Sequence, residues 1–202
     1  MLPLTAVETA ILSSAYQIAR INDLHDNWTT DRSLQTYIRC LSGLDDVLKY
    51  VDQHPNLVRR LLDVGIGRGY YLPELHKIFN EWKMFGSTLS PDMVGGIGRH
   101  IPAGIVGLGV EQLADFFPKQ SFGVILSVCG IGYSPLPDHT AAVIDQLLVP
   151  GGILKMDGWI DDLTVSGLRV TGNHRYREIF TDLGHNVQLA KYDSVLVSIK
   201  PE

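Results

Sequence analysis

The first place where this sequence could do chemistry is a glycine-rich stretch behind a short apolar run. In the segment LLDVGIGRGYYLPEL, residues 61–75, Asp63 precedes Gly65, Gly67 and Gly69. Glycine weakens the interior of a strand or a helix, so three glycines in five positions predict a loop between the two. Bare backbone lets a ligand approach closely, and free N–H groups at a helix start favour a carboxylate or phosphate. The alternative is a tight glycine turn that holds no ligand.

The spacing of the glycines separates two classes of cofactor. The dinucleotide fingerprint G-x-G-x-x-G requires glycine at position 70, where this sequence has Tyr70. The observed pattern is G-x-G-x-G with an acid two residues ahead of it. A nicotinamide-dependent oxidoreductase is therefore only the third of the hypotheses for this chain.

Short apolar segments alternate with helical segments from residue 57 onwards. The predicted strands are LVRRLLDV, WKMFGSTL, AGIVGL, SFGVILSV and GGILKMD, and the predicted helices are LPELHKIFNEW and DHTAAVIDQLL. This alternation predicts a parallel, doubly wound α/β sheet, and the continuous apolar segments fit strands covered on both faces. The final segment, HNVQLAKYDSVLVSIK, predicts an antiparallel hairpin because KYDS is too short for a crossover helix.

Residues 1–56 predict an N-terminal helical cap beside one globular unit at 57–202. Apolar residues that recur at steps of three and four predict a first helix, and residues 22–31 predict a polar turn. A second helix is predicted from about Arg32 to Asp52, with Pro55 ending it. The residues of the first apolar stripe are Leu4, Val7, Ile11, Ala15 and Ile18.

Composition excludes several classes of function. The chain has 202 residues, 45% of them hydrophobic and 19% charged, with a net charge of −5 and no long basic tract. We therefore expect no nucleic-acid partner and no membrane association. Two lone cysteines, Cys40 and Cys129, suit a reducing cytoplasm, and no cluster has the spacing of a metal site.

The chain from about residue 57 to 200 resembles the class I S-adenosylmethionine-dependent methyltransferases. The segments that carry the resemblance, in chain order, are LLDVGIGRG, FGSTLSPDMV, SFGVILSVCGIGY and IDQLLVPGGILKMDGW. The resemblance implies a Rossmann-like sheet of seven strands, mostly parallel, with one antiparallel strand in the C-terminal hairpin. It also implies S-adenosylmethionine as the cofactor.

The resemblance also implies which residues border the cofactor. The three glycines would lie at its methionine end, with Asp63 near its amino group. The implied cofactor residues are Asp63, Gly65, Ile66, Gly67, Gly69, Thr88, Leu89, Gly109, Val110, Glu111, Ser127 and Cys129.

Three positions depart from the family pattern. Thr88 stands where many members carry an acid that holds the ribose hydroxyls. Gly109 stands where an Asp often reaches the adenine amino group, which leaves a backbone contact or Glu111 to take its place. Gly123 replaces the acid of the more usual SFD sequence before the fourth strand.

Candidates for chemistry on the acceptor lie after the fourth and fifth strands. SVCG is not the (D/N)PPY motif of amide and adenine N-methyltransferases, which favours a small-molecule acceptor. Tyr133 and His139 are the catalytic candidates, although His139 also fits a solvated residue in a first helical turn. Further candidates for contact with the substrate, or alternatively for packing, are His25, Trp28, Tyr133, Asp157 and Trp159.

The leading hypothesis is methyl transfer from S-adenosylmethionine to a small molecule by a cytoplasmic enzyme. The hypothesis from a different class is a catalytically silent protein with this fold that acts as a binding or interaction subunit. The missing acids motivate the second hypothesis, and the intact glycine motif with its acid favours the first.

Overall fold

Seven α-helices and nine strands form the part of the chain that the structure describes. The computed structural model describes residues 3–26, 32–89, 104–165 and 167–202, with the backbone alone over 20–26. The helices are α1 (Ala6–Asp26), α2 (Leu34–Cys40), α3 (Asp45–Gln53), α4 (Leu72–Ile78), α5 (Leu113–Phe116), α6 (Pro137–Leu147) and α7 (Asn173–Asp182). The strands are β1 (Arg60–Val64), β2 (Lys83–Ser87), β3 (Gly104–Val106), β4 (Phe122–Val128), β5 (Leu148–Asp157), β6 (Leu163–Val165), β7 (Leu168–Val170), β8 (Asn186–Ala190) and β9 (Val195–Ile199).

Strand β1 lies inside a seven-stranded sheet with the order β3-β2-β1-β4-β5-β9-β8. The strands from β3 to β5 pair in parallel, whereas β9 is antiparallel to both β5 and β8. The predicted doubly wound sheet with one antiparallel strand in a C-terminal hairpin is confirmed. Because the chain runs outward from β1 to β3 and returns to β4, the strand order reverses between β1 and β4. Open parallel sheets bind ligands at such a switch point, outside the carboxyl ends of the strands.

Both faces of the sheet are buried beneath helices. Leu61 of β1 packs in one apolar cluster with Tyr37 of α2. The next residue, Leu62, packs in the opposite cluster with Ile144 of α6 and Phe180 of α7. Successive side chains of a strand point to opposite faces, so β1 contributes to both clusters and carries an almost unbroken apolar run.

Helix α1 is longer than the sequence pattern predicted. It begins with a capping box in which Thr5 N donates to Glu8 Oε2 (2.7 Å) and Glu8 N donates to Thr5 Oγ1 (3.2 Å). It continues to Asp26, through the first half of the segment 22–31 that was predicted as a turn. The polar residues 22–26 are thus compatible with a helix.

The helix predicted over residues 32–52 is two helices, α2 and α3. Ser42 and Gly43 interrupt it with φ angles of +58° and +96°. Lys155 of β5, whose side chain is almost fully buried, donates from Nζ to Gly43 O (3.0 Å) and to Asp46 Oδ1 (2.6 Å). A buried ammonium group needs such partners, and the break between the helices supplies them.

Strands β6 and β7 form a two-stranded antiparallel ribbon that the sequence prediction missed. With three residues each, they are too short for an alternating pattern to be recognised. Just after β7, Thr171 N donates to Gly132 O (2.8 Å), so the ribbon leads back to the loop after β4. The ribbon therefore borders the carboxyl edge of the sheet.

None of the helices within the described ranges is long and apolar enough to cross a membrane.

Candidate functional site

The glycine loop lies at the switch point, directly after β1. The φ angles of Gly65, Gly67 and Gly69 are +80°, +56° and +61°. Residues other than glycine seldom adopt such positive φ angles. A Cβ atom on Gly65 would lie 2.6 Å from the Cα atom of Gly130 in the loop after β4. Gly65 is therefore required by the chain itself, which agrees with the alternative interpretation for this one glycine.

Backbone hydrogen bonds hold the start of the loop against β2. Gly65 N and Ile66 N both donate to Ser87 O at 3.0 Å. The Ile66 side chain is buried in the core cluster beneath α2 and α4. Ile66 thus lies in the predicted loop but directs its side chain into the core.

Asp63 is fully buried at the carboxyl end of β1, beside two tyrosines. Tyr71 Oη donates to Asp63 Oδ2 (2.7 Å), and the rings of Tyr37 and Tyr71 stack with centroids 4.3 Å apart. Asp63 Oδ1 is buried without a hydrogen-bond partner among the described residues. Burial raises the pKa of Asp63 to about 7, while the tyrosine hydroxyls and the Arg32 guanidinium act in the opposite direction.

Neither Tyr37 nor Tyr71 was identified as a site residue from the sequence. Tyr71 stands two residues after the last glycine of the motif, and this proximity is the signal that could have indicated it. Tyr37 lies in a helix far from the motif along the chain, and only the packing of α2 against α4 brings it to Asp63.

Ser127, near the end of β4, connects the two strands that flank the switch point. Its Oγ donates to Val64 O (2.9 Å) and accepts from Gly130 N (3.2 Å) and Ile131 N (3.0 Å). A serine hydroxyl has one donor and two acceptor sites, so these three bonds occupy its whole capacity. The structure thus brings Ser127 to the predicted site and uses its side chain to hold the loop.

Cys129 and Asp157, at the ends of β4 and β5, lie against each other. Cys129 N donates to Asp157 O (3.1 Å), and Cys129 Sγ lies 3.7 Å from Asp157 Oδ2. Burial raises the pKa of the Cys129 thiol to about 12 and also raises the pKa of the Asp157 carboxyl. A thiol with so high a pKa carries little thiolate, so Cys129 is a poor nucleophile.

Arg32 is a residue at this edge that the sequence analysis treated only as the start of a helix. Its Nη1 donates to Val128 O (3.3 Å) at the end of β4. The guanidinium lowers the pKa values of Asp63 and Asp157 against the effect of burial. The Arg32 guanidinium therefore lies near the carboxyl groups of both Asp63 and Asp157.

Tyr133 and Trp159, two of the predicted substrate residues, are brought together. Their rings meet edge to face with centroids 5.4 Å apart, and both residues are half-buried. Burial raises the pKa of Tyr133 to about 12, so its hydroxyl stays protonated near neutral pH. The pair forms an aromatic wall, and its Tyr133 lies close enough to Cys129 to interact with it electrostatically.

The other half of the edge, after β2 and β3, contains the remaining predicted cofactor residues. Thr88 is buried and donates from its backbone N to Val106 O (3.1 Å), whereas Leu89 is exposed. Gly109 and Val110 are buried, and Val110 belongs to the core cluster beneath α6. The structure therefore places these positions at the expected edge.

Glu111 is buried, and both of its carboxylate oxygens accept hydrogen bonds. Tyr16 Oη of α1 donates to Oε2 (2.7 Å), and Ser134 Oγ donates to Oε1 (2.5 Å). Ser134 Oγ in turn accepts from Thr140 Oγ1 (2.6 Å) and from Leu136 N (3.1 Å). Glu111 thus joins α1 to the start of α6.

His139, one of the two catalytic candidates, lies in the first turn of α6. Its Nε2 lies 3.2 Å from Glu111 O, a backbone carbonyl. The neighbouring Asp138 is exposed and pairs with Arg175 of α7 (3.0 Å). These contacts favour the interpretation of His139 as a residue of a helix start.

Two predicted substrate contacts are not tested by the structure. Trp28 lies outside the described residues, and so does the side chain of His25. Within the described ranges, no group of three or more His, Cys, Asp and Glu side chains is arranged to hold a metal ion.

Residues 62–156 match the family model described as a methyltransferase domain. This range contains the glycine loop, Glu111, Ser127 and Cys129, and it ends just before Asp157. A comparison with curated protein sequences finds no match.

Solved structures of methyltransferases share the fold over nearly the whole chain. The sugar N-methyltransferase KedS8 from Streptoalloteichus is 15% identical, with 93% of each chain covered and a TM-score of 0.63. The 1,6-didemethyltoxoflavin-N1-methyltransferase of Burkholderia thailandensis was solved with bound 1,6-didemethyltoxoflavin and S-adenosylhomocysteine. It is 16% identical, with 100% of this chain and 93% of that chain covered and a TM-score of 0.59.

A third similar structure is the putative methyltransferase of Haloferax volcanii in complex with the activator Trm112. It is 18% identical, with 90% of this chain and 98% of that chain covered and a TM-score of 0.59. The resemblance to the class I methyltransferases is confirmed by the matched domain and by this shared fold.

Proposed function

We propose that this protein, which has the class I methyltransferase fold, is an S-adenosylmethionine-dependent enzyme that methylates a small molecule. When bound, the cofactor supplies a methyl group on a sulfonium centre, which passes to a nucleophilic atom of the acceptor and leaves S-adenosylhomocysteine. The matched methyltransferase domain and the shared fold support this proposal.

The observation that carries the proposal is the Asp63 oxygen to which none of the described residues donates a hydrogen bond. A buried carboxylate that lacks a hydrogen bond destabilises the fold unless something else satisfies it. Asp63 Oδ1 is such an atom, at the carboxyl end of β1 and next to the glycine loop. An ammonium group provides the N–H donors that this atom lacks, together with a positive charge. The amino group of the cofactor's methionine is our proposed partner.

The remaining cofactor contacts follow the same edge of the sheet. The loop from Gly65 to Gly69 would border the methionine part, and Thr88 with Leu89 would lie beside the ribose. The loop at Gly109 would lie beside the adenine. This places the cofactor across β1, β2 and β3 and leaves the ends of β4 and β5 for the acceptor.

The acceptor would then lie against the aromatic wall of Tyr133 and Trp159. Asp157, whose pKa is raised by burial, ends β5 two residues before Trp159. It would orient an acceptor or take up its proton, and positioning alone can supply much of the rate in methyl transfer. A cytoplasmic location remains our expectation from the two unpaired cysteines.

The experiment that tests the cofactor is calorimetric titration with S-adenosylhomocysteine at pH 8, with NAD as the comparison ligand. We expect micromolar binding of S-adenosylhomocysteine and none of NAD. Asp63→Asn should weaken the binding by about 10- to 100-fold, since a charged hydrogen bond contributes about 1.5–3 kcal/mol. Asp182→Asn, on the exposed end of α7, is the matched control and should bind normally.

An absence of binding by the wild-type protein at millimolar S-adenosylhomocysteine would refute the proposal. The second candidate, a catalytically silent subunit, would then take its place. Two observations favour that candidate: the Haloferax neighbour was solved with an activator, and Glu111 already uses both carboxylate oxygens within the chain.

A further inference from the structure

The side chain of Tyr16 occupies the space that a side chain at position 109 would need, a relation that the sequence does not show. A Cβ atom on Gly109 would lie 1.7 Å from Tyr16 Oη, 2.6 Å from Tyr16 Cζ and 2.9 Å from Glu111 Oε2. The φ angle of Gly109 is −70°, so its backbone does not require glycine. The reason for glycine at 109 is therefore space: the phenol of Tyr16 occupies the position of the side chain that is missing.

The Tyr16 hydroxyl is oriented by a single strong partner. It donates its proton to Glu111 Oε2 at 2.7 Å, and Ser134 holds the other oxygen of the same carboxylate. The proton of Tyr16 Oη is directed at Glu111, and no residue within the described ranges donates to this oxygen, which keeps its capacity to accept. A hydrogen bond to a carboxylate also increases the electron density on the phenol oxygen, which makes it a better acceptor.

We propose that Tyr16 recognises the adenine of the cofactor by accepting a hydrogen bond from its 6-amino group, in place of the acid missing at position 109. This inference rests on the proposed function, which puts adenine beside the loop that follows β3. It deepens that proposal by assigning base specificity to a residue of α1, more than 90 positions away along the chain. Glu111 then acts as a positioning residue, which orients the hydroxyl without touching the base.

The test compares S-adenosylhomocysteine with S-inosylhomocysteine, in which an oxygen replaces the 6-amino group of the base. Wild-type protein should bind the adenosine form at least about tenfold more tightly, because two acceptors would face each other in the inosine form. Tyr16→Phe should weaken S-adenosylhomocysteine binding by about 3- to 10-fold and reduce the preference to less than about threefold. Tyr192→Phe, at a side chain that is 94% exposed, is the control and should keep the wild-type preference.

A double variant separates recognition from a loss of structure. Tyr16→Ala combined with Gly109→Asp removes the phenol and restores an acid at 109, and it should regain the preference for the adenosine form. Tyr16→Ala alone should not regain it. Rescue by the double variant would show that the lost preference does not arise from misplacement of α1.

Two results would overturn the inference while leaving the proposed function intact. An unchanged preference in Tyr16→Phe would mean that the hydroxyl only holds α1 in place. Tighter binding of S-adenosylhomocysteine by Tyr16→Phe would mean that the hydroxyl obstructs the base. If the wild-type protein bound neither compound, the proposed function itself would fail.

Discussion

Two buried acids at the carboxyl edge of the sheet, Asp63 and Glu111, differ in how many of their carboxylate oxygens accept hydrogen bonds. At the end of β1, one oxygen of Asp63 accepts a hydrogen bond from Tyr71, and the other has no partner in the described part of the chain. Beyond β3, Glu111 has both oxygens bound, by Tyr16 and Ser134. A buried acid with an oxygen that accepts no hydrogen bond destabilises a fold and indicates a ligand. A buried acid whose oxygens all accept hydrogen bonds stabilises the fold around it. The comparison predicts that Asp63 serves binding and that Glu111 serves structure first.

Asp63 should have the strongest effect, which is on the way the free energy of unfolding depends on pH. Its pKa is raised from 3.8 to about 7, so its stabilising contribution is complete below about pH 4 and is lost as the pH rises through 7. Between pH 5 and pH 8, wild-type protein should lose about 3 kcal/mol more unfolding free energy than Asp63→Asn. Urea denaturation of both proteins at the two pH values measures this difference. Parallel pH profiles would contradict the high pKa and remove one side of the comparison.

Removing Glu111, whose two carboxylate oxygens both accept hydrogen bonds, should lower the stability of the fold. Glu111→Ala leaves the hydroxyls of Tyr16 and Ser134 without their acceptor, and it should lower the unfolding free energy by about 2–3 kcal/mol. Glu178→Ala, in α7, removes an exposed carboxylate and should change it by less than about 0.5 kcal/mol. Chemical denaturation at constant pH gives both values. Equal stability of the two variants would mean that the Glu111 network is not structural.

The weakest of these effects is expected for Ser127, which links the end of β4 to the end of β1 at the switch point. Ser127→Ala removes one hydrogen bond from β4 to the end of β1 and two within the loop after β4, and it should cost about 1–2 kcal/mol. Ser121 is equally buried, just before β4, but its Oγ has no partner among the described residues. Ser121→Ala should therefore be neutral or slightly stabilising. Thermal unfolding of the pair checks the contrast, and a similar loss in both variants would refute it.

Most of the fold could be predicted because its signals are local. The apolar segments at β1, β2, β4 and β5 coincide with observed strands, since strands buried on both faces require continuous apolar residues. The C-terminal hairpin was predictable because four residues cannot form a crossover connection. The break between α2 and α3 was not, since it depends on Lys155 reaching Gly43 and Asp46 from the sheet.

The candidate site was predicted in part. The glycine motif and Asp63 were identified from type and spacing, and the structure places them at the switch point of the sheet. Tyr16 and Tyr37 were missed because each belongs to a helix whose own pattern carries no sign of the edge it reaches, and Arg32, just before α2, was missed for the same reason. The acceptor itself is decided by side chains from several loops, which no single motif describes.

The loop after β1 follows from the sequence alone, because glycine adopts positive φ angles without help from a distant partner. The order of strands and helices likewise follows from local periodicity. The reason for glycine at position 109 is visible only in the folded protein, because a phenol from α1 occupies the space of the missing side chain. Steric exclusion and hydrogen bonds between distant residues depend on how the chain folds back on itself, which local patterns do not contain.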